Sequence, residues 1–344
     1  MVVKLVLELS YFLAEECYKN DIIESKVSNG KYSFSTAEHT FHFDKSEDAF
    51  HTDGYDFIEV DFTGALLWES SKDDINRLWS KLDKTKQFFA FWHYGEGMSN
   101  QNDNWKTLLD LGIKVYTSTW SPELHTHPNL IYDLAFSFHY FNFYNGSCYT
   151  DRTDRSRMIY PKKYKVGLYG LSKWKQTSQT IRNWRNEYIS YFESKSDTKP
   201  ISYSKPSLFE LSQFMRNQHF SMPFDFKDCN YFITAESHFN QKDVFPYFTS
   251  EKVLKGAWLE VFDINMMVIT SPMHMKDLHD SGFWFANSKY ITEYTPECIL
   301  ESLYKCYESD EIIQTNNLEV VDRILSENIF EKHNILCNNS NLKL

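Results

Sequence analysis

The sequence lacks the local patterns by which small metal sites and membrane segments are usually recognised. Its six cysteines are scattered, and none forms a CxxC pair or belongs to a His/Cys cluster with zinc spacing. The first twenty residues are apolar but carry charges within the run, so they match neither a signal peptide nor a membrane span. We therefore expect a cytoplasmic protein in a reducing compartment, with no membrane span.

A metal-binding Asp-x-Asp motif after a strand is also missing. The nearest matches are Glu59-Val60-Asp61 and Asp151-Arg152-Thr153-Asp154. We place the first in the middle of a strand, with both carboxylates on one face, and the second in a polar linker. No internal repeat or low-complexity tract is present either. The sequence thus predicts chemistry that does not depend on a bound metal ion.

The chain carries little positive charge relative to its negative charge. A net charge of −11 makes the surface as a whole repel nucleic acid and anionic lipid. A small anionic ligand needs only a few cations, and the segment from Pro161 to Arg185 is the best candidate for supplying them. Its cations are Lys162, Lys163, Lys165, Lys173, Lys175, Arg182 and Arg185. The same run is equally typical of a solvated surface.

What the sequence does contain is enough apolar material for two domains. Its 344 residues are 42% hydrophobic and 17% aromatic, with 28 Phe, 22 Tyr and 9 Trp. Most of these rings are expected in cores, and some can line a cleft that stacks on sugar or base rings.

Strands and helices alternate in the first half of the chain. The predicted strands are Val2–Leu9, Tyr55–Phe62, Gln87–Trp92 and Ile113–Thr117, the predicted helices are Lys72–Leu82 and Trp105–Leu111, and Tyr32–Phe43 is predicted as a hairpin. This order is typical of an open, parallel α/β sheet.

The polar stretch from Asn145 to Lys165 predicts a boundary between a domain of residues 1–150 and one of residues 151–344. The second half again alternates strands and helices. Its predicted strands are Lys165–Tyr169, Asn230–Thr234, Met266–Ile269 and Gly282–Phe285, and its predicted helices are Thr177–Phe192, Ser207–Arg216, Glu251–Phe262, His274–His279, Pro296–Tyr307 and Leu318–Asn328.

One segment of the second half places polar residues where a ligand of an α/β sheet would bind. A buried strand ends at Thr234, so Glu236 falls in the loop at its carboxyl end. Ser250 is a suitable N-cap, which puts Glu251 and Lys252 in the first helical turn, where backbone N–H groups and the helix dipole favour a diphosphate. The carboxylate of Glu251 could accept hydrogen bonds from both hydroxyls of a ribose. An ordinary helix start with no ligand is the competing interpretation.

This segment resembles the donor-binding region of the α-1,3-fucosyltransferase family and its bacterial and viral relatives. The matching motifs, in order, are Ala235-Glu236-Ser237, Ser250-Glu251-Lys252, Met266-Met267-Val268-Ile269-Thr270-Ser271-Pro272 and Gly282-Phe283-Trp284-Phe285. Upstream, Arg185-Asn186 is similar to the family's Arg-Asn pair at a helix start, with Arg182 as the close alternative. Tyr94-Gly95-Glu96-Gly97 is similar to the loop that holds the family's proposed base.

The chain departs from the family pattern at three donor-side positions. Ala235 and Ser237 replace an aromatic residue and an asparagine. Phe248 stands where the family has tyrosine, although Tyr247 is adjacent. These positions touch the base and the sugar in the family, so GDP-fucose is one candidate donor among other nucleoside-diphosphate sugars.

The resemblance implies a GT-B fold, with two Rossmann-like domains facing across a cleft. It implies inverting, metal-independent sugar transfer to a hydroxyl of a glycan or another acceptor, without a cofactor. Arg185 or Arg182 would act with Lys252 on the leaving diphosphate, and Glu96 would be the general base. The donor-binding set would be Arg182, Arg185, Glu236, Tyr247, Phe248, Ser250, Glu251 and Lys252. His93 and His238 are weaker candidates.

Three other functions compete with this assignment. A retaining enzyme would show two glutamates around a glycine-rich loop, a pattern that Glu236 and Glu251 do not have. A viral enzyme acting in host cytoplasm could instead add a sugar to a DNA base, using the basic segment as a groove. A nucleotide- or glycan-binding protein without catalysis is the third possibility.

Overall fold

The structure of the chain is a computed structural model. It describes residues 1–28, 31–44, 52–60, 72–92, 102–144, 160–169, 191, 194–201, 224–235, 247–270, 272–285, 295, 297–298, 301–302, 305 and 316–337. The chain divides into two compact units, and the first comprises Met1–Phe143 together with Leu325–Leu344. The second unit is Tyr144–Ile324.

Both units have the α/β class predicted from the sequence. The described strands are β1 (Val2–Leu5), β2 (Glu24–Ser28), β3 (Lys31–Ser35), β4 (Thr40–Phe43), β5 (Phe57–Glu59), β6 (Gln87–Trp92), β7 (Lys114–Thr117), β8 (Thr119–Trp120), β9 (Leu130–Tyr132), β10 (Tyr164–Tyr169), β11 (Thr198–Ile201), β12 (Cys229–Ala235), β13 (Tyr247–Phe248) and β14 (Asn265–Ile269). The described helices are α1 (Glu8–Cys17), α2 (Lys72–Lys81), α3 (Asn102–Asp110), α4 (Ala135–Tyr144), α5 (Glu251–Leu259), α6 (Pro272–Asp280), α7 (Asn317–Ser326) and α8 (Ile329–Lys332).

The first unit is built on an eight-stranded sheet in the order β2-β3-β4-β1-β5-β6-β7-β9. Six of its strands are parallel, namely β4, β1, β5, β6, β7 and β9. At one edge, β3 pairs antiparallel with β4, and β2 pairs antiparallel with β3. The predicted hairpin is confirmed as β3 paired with β4. Buried aromatic and aliphatic side chains cover the sheet, and the rings of Trp92 and Trp105 stack 4.6 Å apart where α3 packs on β6.

The ends of two helices in this unit follow from local chemistry. Gly112 has a φ of 86°, a left-handed conformation that glycine adopts without strain, and its N–H bonds to the carbonyl of Leu109 as α3 ends. At α8, the side chain of Asn328 accepts hydrogen bonds from the N–H groups of Phe330 and Glu331, as expected of an N-cap.

The second unit has a four-stranded, fully parallel sheet in the order β11-β10-β12-β14. Helix α5 lies between β12 and β14 in the chain, so its first residue follows the carboxyl end of β12. Its buried side chains recur with helical spacing at Val253, Leu254, Ala257 and Trp258, which form the face that packs on the sheet.

Among the predicted elements that fall on described residues, two were assigned wrongly. The strand predicted over Val2–Leu9 ends at Leu5, because α1 begins at Glu8 within the same apolar run. The strand predicted over Gly282–Phe285 is irregular instead, and the side-chain amide of Asn317 bonds to both the N–H and the carbonyl of Trp284, at 2.7 and 2.8 Å. One side chain thus takes the place of a neighbouring strand at that point.

Candidate functional site

The strand order of the second sheet defines where a ligand would be expected. In chain order the strands run 2-1-3-4, so the connection direction reverses between β10 and β12. In open parallel sheets, ligands bind outside the carboxyl ends of the strands at this switch point. Here those ends are Tyr169 and Ala235, with Tyr169 paired to Thr234 in register.

Close to this edge, the start of α5 carries a buried cation. Ser250 caps the helix, and its hydroxyl oxygen accepts hydrogen bonds from the Lys252 N–H at 3.3 Å and from the Lys252 ammonium at 3.1 Å. The Val253 N–H also bonds back, to the Ser250 carbonyl. The protein itself therefore uses two of the first N–H groups of the helix, and the cation at this end is the Lys252 ammonium. Ser250 and Lys252 are both buried.

A histidine that the sequence did not single out ties this helix start to the end of the next strand. The ring of His274 bonds through Nε2 to the Thr249 hydroxyl at 2.8 Å and through Nδ1 to the Thr270 hydroxyl at 2.7 Å. Thr270 directly follows β14, and His274 is fully buried in the first half of α6. The start of α5 and the carboxyl end of β14 therefore meet at this edge of the sheet.

Burial keeps the His274 ring uncharged, because it lowers the pKa of the imidazole to about 3. A neutral imidazole donates from one nitrogen and accepts at the other, and a hydroxyl can fill either role. His274 therefore bridges the two threonines as a neutral side chain and adds no positive charge. A histidine four residues after a threonine is too common a pattern to reveal this in advance.

The structure locates some of the predicted site residues and not others. Ser250 and Lys252 lie together, Glu251 opens α5, and the backbones of Tyr247 and Phe248 form β13 immediately before it. The remaining predicted residues lie outside the described part of the chain; they are Glu96, Arg182, Arg185, Glu236, His93 and His238.

The described lysines of the basic segment do not lie at the carboxyl edge of the second sheet. Lys162 donates hydrogen bonds to the carbonyls of Lys227 and Phe262, at 3.3 and 3.0 Å. Lys163 is paired with Asp228, and Lys165 with an aspartate in the turn before β11. These contacts surround the amino ends of β10, β11 and β12, which is the opposite edge of the sheet. These three lysines are therefore engaged at the amino edge, whereas Lys173, Lys175, Arg182 and Arg185 lie outside the described residues.

The corresponding edge of the first sheet already contains an anion of the protein itself. The direction in which successive parallel strands are added also reverses in this sheet, between β1 and β5, and β5 ends at Glu59. The buried Glu59 carboxylate accepts hydrogen bonds from the N–H groups of Val6 and Leu7, at 3.0 and 3.2 Å, and from the Ser10 hydroxyl at 2.5 Å. A carboxylate of the protein thus occupies the start of α1, a position that favours an anion.

This geometry corrects the interpretation of Glu59-Val60-Asp61. Glu59 is the last residue of its strand and not a mid-strand position, and its oxygens are engaged by the start of α1. Asp61 lies outside the described residues. Over the part of the chain that the structure describes, no group of three or more His, Cys, Asp or Glu side chains is arranged to hold a metal ion.

A second carboxylate at the carboxyl edge of the first sheet is also paired. Asp133 directly follows β9; it accepts the N–H of Ala135 at 2.8 Å and contacts the side chains of His333 and Lys332 at 2.8 and 2.9 Å. Burial alone would raise the pKa of Asp133, but the hydrogen bonds from His333, Ala135 and Lys332 hold it at about 2. The His333 ring stacks on Phe136, 5.1 Å away, so the group joins α8 to the start of α4.

Comparisons of the chain with protein-family models, with curated proteins and with solved structures give no match. None of the described helices combines the length and the apolar character that crossing a membrane requires. Function is therefore inferred from the geometry of the second unit and from the residue pattern at its carboxyl edge.

Proposed function

We propose that this protein is a glycosyltransferase that moves a sugar from a nucleoside-diphosphate sugar to an acceptor hydroxyl. The donor diphosphate would bind at the start of α5. The observation that carries the proposal is the buried ammonium of Lys252, held by Ser250 in the first turn of a helix beside the carboxyl edge of a 2-1-3-4 parallel sheet.

A diphosphate is the ligand chemistry that suits this place. The positive end of the helix dipole and a full positive charge coincide there, and both favour an anion. Burial strengthens their effect, because charges interact more strongly where water is excluded. In a sugar transfer the diphosphate gains charge as it leaves, so the same cation would stabilise the transition state more than the ground state.

The start of α1 in the first unit is already occupied by a carboxylate, which supports placing the sugar donor in the second unit. A bound nucleotide diphosphate would compete at the start of α1 with the Glu59 carboxylate, which already accepts three hydrogen bonds there. A ligand that displaced the Glu59 carboxylate from these hydrogen bonds would leave a buried charge without partners, which is unfavourable.

The other roles rest on the resemblance. Glu96 is proposed as the general base, Arg182 or Arg185 as the second cation on the diphosphate, and Glu236 and Glu251 as donor-binding carboxylates. Inversion, metal independence and the GT-B arrangement belong to the same proposal. GDP-fucose is one candidate donor, and the acceptor is a glycan or another hydroxyl compound.

A thermal-shift panel with GDP, UDP, CDP and their sugars tests the proposal. One nucleoside diphosphate should stabilise the protein selectively, by about 2.7 kcal/mol when its concentration is a hundred times its Kd. Slow hydrolysis of the matching sugar donor should follow, and it should be lost in Lys252→Ala and Glu251→Ala. Stabilisation without any hydrolysis or transfer would instead favour a binding protein. The absence of stabilisation by every nucleotide would contradict the proposal.

A further inference from the structure

Strand β2 (Glu24–Ser28) is the outermost strand of the eight-stranded sheet in the first unit. It pairs on one side with β3, and its other side meets no further strand of the described chain. All five of its residues are exposed, whereas α1 covers the neighbouring part of the sheet, where the rings of Tyr11 and Phe34 are 5.5 Å apart. Strand β2 therefore lies beyond the helix layer and presents an open edge to which another strand can pair.

The side chains of this segment are arranged symmetrically about Ser25. Ile23, directly before β2, and Val27, near its end, are 73% and 75% exposed. Between them, Glu24 and Lys26 share one face of the strand, and their charged groups lie 2.7 Å apart. The order is thus apolar, acidic, serine, basic, apolar. Read in the opposite direction, it has a basic residue wherever the first reading has an acidic one, so the segment is complementary to itself.

This complementarity selects one register for two copies of β2. Residues directly opposite each other in an antiparallel pair lie on the same face, so a twofold axis perpendicular to the sheet passes through one residue and its own copy. With the axis at Ser25, each Glu24 lies opposite Lys26 of the second copy, and Ile23 lies level with Val27 of the second copy. An axis at Glu24 or at Lys26 would place like charges opposite each other, which is destabilising.

We propose that β2 joins two copies of this chain edge to edge, in antiparallel order, with the twofold axis at Ser25. The eight-stranded sheets of the two copies would become continuous, and Glu24 and Lys26 would form a group of four charges that alternate in sign. Five paired residues on each side are far fewer than the roughly 20–30 of a standard interface, so the dimer should be weak and should dissociate on dilution. Added salt should weaken it further. The proposal does not depend on the proposed sugar transfer.

Cysteine substitution at the axis tests the register. Opposite Cα atoms in an antiparallel pair lie about 4.5–5.5 Å apart, within the roughly 4.4–6.8 Å that a disulfide spans. The background is Cys337→Ser, because that thiol is exposed, and it should give no covalent dimer by itself. Adding Ser25→Cys should give a covalent dimer on mild oxidation, seen by non-reducing electrophoresis. Ser28→Cys is the matched control, because its two copies would lie six residues apart along the strands, about 20 Å.

Charge reversal tests the pairing without a covalent bond. Sedimentation velocity of the wild type over a concentration series should show a reversible monomer–dimer equilibrium. Glu24→Lys and Lys26→Glu should each dimerise at least about tenfold more weakly, because like charges then lie opposite each other. Both side chains are exposed, so neither change should disturb folding. An equimolar mixture of the two variants should associate again, because every charge then lies opposite its complement in the second copy.

Each experiment has a result that would overturn the proposal. One is a Ser25→Cys variant that gives no covalent dimer, or a Ser28→Cys variant that gives one as readily. Another is a dimer that is unchanged in both Glu24→Lys and Lys26→Glu, since the contact would then use another surface. A mixture of these two variants that does not associate would contradict the charge pairing that selects the register.

Discussion

The ammonium nitrogen of Lys252 lies 3.1 Å from the hydroxyl oxygen of Ser250, the residue that caps the helix on which Lys252 stands. The lysine is thereby folded back over the first turn of α5, and its charge is held where the helix dipole is also positive. The neutral ring of His274 is hydrogen-bonded to the hydroxyls of Thr249 and Thr270, and these two contacts join this helix start to the end of β14. These contacts fix the candidate anion site before any ligand arrives.

The neutral state of His274 predicts acid sensitivity. The folded pKa is lowered to about 3, whereas an unfolded histidine titrates near 6.5. Between these two pH values, the histidine binds a proton in the unfolded chain but not in the folded chain. The free energy of unfolding should therefore fall as the pH drops from about 6.5 towards 3. The expected slope is about 1.4 kcal/mol per pH unit from this group.

Urea unfolding of the second unit at pH 7.5, 6 and 5 measures that slope. His274→Gln should be less stable than the wild type at pH 7.5, because it cannot bridge both threonines with the same geometry. It should also lose stability less steeply on acidification. If the free energy of unfolding of His274→Gln depended on pH as steeply as that of the wild type, the buried neutral state of His274 would be contradicted.

Asp133 should stabilise the first unit at neutral pH and lose its effect in acid. Hydrogen bonds hold its folded pKa at about 2, below the ordinary value of 3.8, so the stabilisation is complete above about pH 4 and disappears as the pH falls towards 2. Asp133→Asn keeps an oxygen for the Ala135 N–H but loses the charge beside His333 and Lys332.

Asp133→Asn should lower the free energy of unfolding by about 2 kcal/mol at pH 7, with the difference shrinking below pH 4. Asp110→Asn is the matched control, since the Asp110 side chain is more exposed and pairs with His127 at 3.3 Å. It should change stability by less than about 1 kcal/mol. Equal stability of Asp133→Asn and the wild type at pH 7 would rule out the proposed contribution.

The Glu59 carboxylate should be essential for the start of α1. Glu59→Gln keeps a carbonyl oxygen for the N–H groups of Val6 and Leu7 and turns its amide N–H towards the Ser10 hydroxyl, so the change removes the charge that strengthens these hydrogen bonds. We expect the free energy of unfolding to fall by about 2 kcal/mol, the usual contribution of a hydrogen bond to a charged group.

Glu8→Gln provides the comparison, because Glu8 is an exposed carboxylate in the first turn of the same helix. It should cost less than about 1 kcal/mol, as a helix-dipole interaction does. Chemical denaturation followed by circular dichroism measures both variants. Similar losses for the two would show that the buried contacts of Glu59 are not special.

The strand and helix alternation was predictable because each element carries its own apolar period. Strand β6 has the predicted bounds Gln87–Trp92, and α2 spans Lys72–Lys81, one residue shorter than expected. Ser250 was predicted as an N-cap from residue type and position, and the structure confirms the cap.

The failures come from contacts between residues far apart in the chain. Helix α1 starts where the N–H groups of Val6 and Leu7 meet Glu59, more than fifty residues later, so the apolar run alone could not reveal the break. Likewise, the segment Gly282–Phe285 looks like a strand, but Asn317 supplies its hydrogen bonds instead of a neighbouring strand. The role of His274 depends on two threonines that only the fold brings together.

The most direct test of the donor site compares binding of a nucleoside and its diphosphate in three proteins. The wild type should strongly prefer the diphosphate of the base chosen in the thermal-shift panel. Lys252→Met, which keeps most of the side-chain volume, should reduce that preference at least about tenfold while leaving nucleoside binding intact. Lys276→Met, the same charge change at an exposed position, should retain the full preference. An undiminished preference in Lys252→Met would contradict a diphosphate site at the start of α5.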